Sequence, residues 1–134
     1  MNEVSTHVAV DPSERLALIE MRGIVTGSMI VDAADRVQND PGWEDGFDVV
    51  WNCADVLAHD VLPGDVGPIV ESRVESGDGR DVLVCSPAFG DREISEMLAV
   101  MCRRRGKSMT VYTSLAEALG ALGRDALPSA LQRP

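Results

Sequence analysis

The stretch from Asp81 to Leu122, DVLVCSPAFGDREISEMLAVMCRRRGKSMTVYTSLAEALGAL, constrains the fold more than any other part of the chain. Val82-Leu83-Val84-Cys85 is a short apolar run of the kind that makes a buried strand. Ile94, Met97, Leu98 and Met101 then recur at helical spacing. Met109 to Tyr112 is a second short run rich in strand-forming residues. Leu115, Ala118, Leu119 and Leu122 return to the helical period. Strand, helix, strand, helix is the unit that builds a parallel sheet covered by helices.

The earlier residues repeat that rhythm. Val4 to Val10 alternates as a strand with one covered face. Asp11-Pro12-Ser13-Glu14 has turn composition, and Arg15 to Arg22 is a second strand, so the two form an antiparallel hairpin. Thr26 is a good N-cap for a helix with Ile30, Ala33, Ala34 and Val37 on one face, stopped at Asp40-Pro41-Gly42. Asp48 to Cys53 reads as a central strand. Ala54 to Leu62 reads as a loop, unusually apolar for one. Pro63-Gly64-Asp65 opens a second helix with Val66, Ile69, Val70 and Val74 inward. Ser114 with Glu117 forms a capping box that marks the last helix. The order is ββαβαβαβα. The expected class is α/β, a mostly parallel five-stranded sheet with one antiparallel edge strand and helices packed on it. One domain spans residues 1–123, and residues 124–134 are expected to form a flexible tail.

Composition narrows the function classes. The formal charge is −10, and residues 1–100 carry 20 acids against 6 bases. Such a surface repels phosphate backbones, so nucleic-acid binding is not expected. The basic run Arg103-Arg104-Arg105-Gly106-Lys107 closes a helix, where cations suit the dipole and Gly106 suits the C′ position. No apolar run is long enough to span a bilayer, and the first residues lack the pattern of a signal peptide, so a cytoplasmic protein is expected. Cys53, Cys85 and Cys102 fit no metal or redox spacing and read as reduced, buried thiols.

In a parallel α/β sheet, ligands bind beyond the carboxyl ends of the strands. The residues expected there are Asn52, Asp55, Val56, Leu57, His59, Asp60, Val61, Leu62, Ser86, Phe89 and Asp91. No glycine-rich phosphate loop accompanies them, which removes the dinucleotide and P-loop readings. No cofactor or metal is expected, because His59-Asp60 would supply only half a site and His7 lies on the distant edge strand. Cys85 ends a strand just before a helix, a position that can activate a thiol, and His59 in the neighbouring segment could serve as its base.

The segments VVWNCADV, VLVCSP with FGDREISEMLAVM, and MTVYTSLAEALGAL resemble the SpoIIAA-like group of STAS domains, the branch also labelled STAS/SEC14-like. Phe89-Gly90 before the third helix, Val111-Tyr112-Thr113 in the last strand and Glu117-Ala118-Leu119 in the closing helix stand at the family's positions. The resemblance covers about Val4 to Leu122. It implies a non-enzymatic regulatory or ligand-sensing domain. The better-known antagonists of the family carry a phosphorylated serine after an aspartate at the start of the second helix. Asp60 matches the aspartate, but Val61, Leu62 and Pro63 stand where the serine would be. A modification that adds charge needs a hydroxyl, and this segment has none. The SEC14-like label implies an apolar small ligand, which would suit Val56–Leu62.

Three readings follow. The first is a regulatory domain that binds a protein partner or forms a homodimer through Val56–Leu62 and the second helix. The second is a binder of an apolar or nucleotide small molecule among residues 53–62 and 86–91. The third is an enzyme built on Cys85 and His59.

Overall fold

The computed structural model describes residues 5–87 and 91–132, so Phe89 lies outside the described residues. Strand β1 (Ser5–Asp11) pairs antiparallel with β2 (Leu16–Thr26). Helix α1 (Gly27–Gln38), β3 (Asp48–Asp60), α2 (Pro63–Glu75), β4 (Asp81–Val84), α3 (Asp91–Arg104), β5 (Met109–Tyr112) and α4 (Leu115–Ala121) follow. The sheet order is β1-β2-β3-β4-β5, with every pairing after the first parallel. The expected α/β class, element order and antiparallel edge strand are all present.

Topology dictates how the two faces are covered. Each parallel step moves one strand in the same direction, and each crossover is right-handed by preference, so α1, α2 and α3 fall on one face. That face holds the larger core, with Ile19, Met21, Val49 and Trp51 under Ile30, Ala34, Ile69, Leu98 and Ala99. The other face is left to whatever follows β5. Helix α4 supplies Ala118, Leu119 and Leu122, but seven residues cannot cover a five-stranded sheet. Residues 124–132, expected to fray, supply the remainder. A short 3-10 turn at Ser129–Leu131 seats Leu131 at 0% exposure among Leu16, Leu18 and Ala118. Burying one leucine fully contributes roughly 1.5–3 kcal/mol, and the segment is tied further by Leu127 on the same cluster and by Arg124 Nη2 donating to the Glu14 carbonyl.

The helix ends follow their sequence signals. Thr26 Oγ1 accepts from the Met29 N–H at 3.3 Å, and Ser114 Oγ accepts from the Glu117 N–H at 3.1 Å. At the end of α3 the Lys107 N–H reaches the Cys102 carbonyl and the Gly106 N–H the Arg103 carbonyl, both at 3.0 Å. Gly106 supplies the positive φ of 85° that this closure needs.

The largest difference from expectation lies at Ala54–Leu62. The segment is not a loop: β3 runs unbroken to Asp60, paired with β2 as far as Thr26. Two register shifts account for the misreading. Cys53 and Ala54 stand opposite the single residue Met21, and Leu57 is an extra residue between Val56 and Ala58. Each bulge moves the inward side by one residue. Cys53, Val56 and His59 therefore all point inward, a spacing of three that hides the strand's period of two.

The candidate site at the end of the sheet

The β2–β3 ribbon projects beyond the sheet, because β4 ends at Val84 and β5 at Tyr112. Its inner side is anchored. Val25 and Val56 are buried with the helix-side core, and the His59 side chain is 6% exposed. His59 Nδ1 meets Asp91 Oδ1 on the first turn of α3. The other Asp91 oxygen accepts the Ser86 N–H at 2.6 Å. Asp91 thus joins the ribbon, the loop after β4 and the start of α3, at 2% exposure. A carboxylate in the first turn of a helix also suits the dipole.

The outer side of the ribbon is open. Ile24 is 54% exposed, Leu57 49% and, just past the ribbon, Leu62 61%. Val61 instead packs against the core. Asp60 is exposed, and Asp65 Oδ2 accepts the Leu62 N–H at 2.9 Å, which caps α2. Asn52 holds the base of the ribbon, donating to Glu20 and accepting from the Ala54 N–H. Asp55 faces solvent near Arg22, at 3.7 Å. Ser86 is buried beside Asp91. Of the expected residues, then, Val56, His59, Ser86 and Asp91 form the buried anchor. Leu57, Asp60 and Leu62 form the surface, and Asn52 and Asp55 the shoulder.

The thiols sit next to the anchor. Cys53 and Cys85 follow the last paired residues of β3 and β4, so the two stand side by side. Burial, followed by the charge of Asp91, pushes the Cys53 thiol from 9.0 up to about 12. Cys85 moves upward for the same two reasons, and its Sγ–H points at the Tyr112 carbonyl at 3.5 Å. A nucleophilic thiol needs the opposite environment.

A second charged cluster was not expected. At the opposite end of β4, Asp81 takes a two-pronged contact from Arg73, Nε to Oδ2 at 2.6 Å and Nη2 to Oδ1 at 3.0 Å. Trp51 Nε1 donates to the same carboxylate at 3.1 Å. Lys107 Nζ lies 3.6 Å from Asp81 and donates to Ser76 Oγ, the Gly77 carbonyl and the Gly79 carbonyl. Burial lowers the Lys107 pKa. The sequence does carry a trace of this cluster. Arg73 falls at the inward period of α2, three and four residues after Val70 and Ile69. Lys107 takes the position after the closing glycine, where an apolar residue is usual. Between the two clusters, under α1, α2 and α3, lies a cavity of about 40 Å³. Its walls are mostly apolar, and both His59 and Arg73 reach it.

No family model and no curated protein matches the chain. Among solved structures, it is similar to the anti-sigma factor antagonist SpoIIAA in its unphosphorylated form. The identity is 14%, and 89% of this chain and 98% of that one are covered at a TM-score of 0.53. At that identity the likeness concerns the fold, and on that ground the chain has a SpoIIAA-like, STAS-type fold.

Proposed function

We propose that this chain is a non-enzymatic regulatory domain that docks a protein, either a partner or a second copy of itself, through the open side of the β2–β3 ribbon and the start of α2. The observation that carries this reading is the exposure of Ile24, Leu57 and Leu62 at 54%, 49% and 61%, together at one end of a ribbon whose inner side is pinned by His59 and Asp91. Water-exposed apolar side chains grouped on a rigid mount are what a docking surface needs. Val56 to Pro63 contains no hydroxyl, so this reading places no phosphoserine switch within that segment. Cytoplasmic location fits this role. Among the described residues no helix is long and apolar enough to cross a membrane. The upward-shifted thiols of Cys53 and Cys85 favour a binding role over a thiol-dependent enzyme.

The test is site-specific photocrosslinking in cells that produce the protein. A photoreactive residue at Leu57 should capture one discrete protein, or the chain itself. The same residue at Asp32, on the exposed face of α1, should not. Equal and diffuse capture at both positions removes the docking reading.

A further inference from the structure

Charge is unevenly placed along this chain. Residues 101–134 carry 6 bases against 2 acids, whereas residues 1–100 carry 20 acids against 6 bases. Part of that positive charge lies beside a groove between α2 and α3, lined by Gly67, Val70, Glu71, Met101, Arg104 and Arg105. Arg105 is spent on Glu71 at 3.0 Å, and Arg103 donates to the Met109 carbonyl at 2.7 Å. Arg104 is exposed and has no ion pair among the described residues. Met97, Met101 and Arg104 fall four and three residues apart, so they share one stripe of α3, with Val100 beside it. Met97 is 42% exposed and Val100 37%. On the facing helix Gly67 offers open space, with no atom within 4 Å of where a side chain would begin. The groove is thus apolar, smooth on one wall and positive at one end.

The open side of the ribbon is its complement. Ile24, Leu57 and Leu62 are exposed apolar groups, and Asp60 is exposed with no ion pair among the described residues. An apolar patch carrying a free carboxylate matches an apolar groove carrying a free guanidinium. Two copies otherwise repel, at −10 each, which confines attraction to this pair of patches. One copy cannot bring the two together. The groove lies among the helices on one side of the sheet. Ile24 alternates with Val25, which belongs to the helix-side core, and so points to the other side. Two patches that face apart make a head-to-tail contact, which leaves a free groove and a free ribbon at the ends of every assembly.

We propose that the partner of the ribbon is a second copy of this chain. The ribbon of one copy, with Leu57 and Asp60, seats in the α2–α3 groove of the next, against Met97, Met101 and Arg104, and the contact repeats as an open head-to-tail chain. The inference rests on the docking reading and names its occupant.

The experiment is sedimentation velocity of the full chain, up to about 1 mM so that a weak contact is not missed. Wild type should grow with concentration past the dimer. Leu57→Asp spoils only the ribbon and Arg104→Glu only the groove, both at exposed positions, and each should stay monomeric with an unchanged circular dichroism melt. Asp60→Arg and Gly67→Glu supply a second such pair if either melt changes. Mixed in equal amounts, a ribbon variant and a groove variant should form a one-to-one dimer that grows no further. The intact ribbon of one then fills the intact groove of the other, and both remaining faces are dead. A wild type that stays monomeric, or stops at a dimer, overturns the proposal. So does assembly that survives either single variant, since the contact then lies elsewhere. A mixture that stays monomeric has the same force, since ribbon and groove then do not meet. Capture of a different protein at Leu57 in cells, beside a monomeric wild type, overturns self-assembly and leaves the docking reading standing. Diffuse capture at Leu57 removes the docking reading, and this inference with it.

Discussion

The two ends of this sheet both bury a charged contact, and they do so in opposite styles. At the start of β4, Asp81 is gripped by Arg73, Trp51 and Lys107, and nearly every donor in the cluster is spent inside the protein. At the far end, the His59–Asp91 contact with the Ser86 N–H ties down a ribbon that lies beyond β4 and β5. The first is built into the middle of the fold. The second is an attachment at its margin. Equal burial therefore does not mean equal consequence: what matters is how much of the molecule depends on each contact.

Mutation should separate the two. Asp81→Asn leaves two buried cations without their counter-charge, and breaking a buried pair in this way costs about 3–5 kcal/mol. Against a total stability of roughly 5–15 kcal/mol, urea denaturation should show a large loss or outright unfolding. His59→Gln at the margin should cost about 1–3 kcal/mol. Hydrogen exchange should quicken at Ala58–Asp60 and stay slow at Val82–Val84. Equal cost at the two ends, or uniform loss of protection after His59→Gln, would break the comparison.

Alkaline pH probes the margin through Cys53. Its thiol is raised from 9.0 to about 12, so the folded state keeps a proton that the unfolded chain gives up first. The stabilising contribution is whole below pH 9 and is lost as pH rises toward 12, by up to about 1.4 kcal/mol per pH unit. Lys107 has the reverse sign. Burial lowers its pKa below 10.5, so its cost is largest when it is protonated and eases as pH rises. Cys53→Ala should flatten the fall in urea midpoint above pH 9. An unchanged slope would show that the thiol ionises without penalty. The smallest effect on stability belongs to Leu57→Asp, within about 0.5 kcal/mol for an exposed position. Its effect on partner capture at a crosslinker placed on Leu62 should nevertheless be complete.

Much of the scaffold was legible because local signals agreed with topology. The Thr26 and Ser114 caps, the Gly106 closure and the apolar runs of β4 and β5 all read directly. Legibility stopped where long-range partners decide. Ala54–Asp60 looked like a loop because its pairing with Arg22–Thr26 is bulged twice. The packing of Leu131 followed from an uncovered sheet face rather than from any pattern around it. The Arg73–Asp81–Lys107 cluster joins residues from α2, β4 and the turn after α3, and no spacing along the chain declares such a meeting. His59 and Asp91 were both named as site residues, but their contact across the gap between the ribbon and α3 was not.

The paired bulges in β3 bear on how this segment tolerates insertion and deletion. Leu57 and Ala54 are the spare residues of their bulges, so removing either leaves plain alternation, with His59 still opposite Val25 and still facing Asp91. Removing Val25 from the unbulged partner strand instead turns Thr26 to the inner side opposite His59 and loses the anchor's phase. Deletion of Leu57, of Ala54 or of both should thus keep protected His59 and Thr26 amides, where deletion of Val25 loses that protection. Length here can change at the bulges at far less cost than at the paired residues.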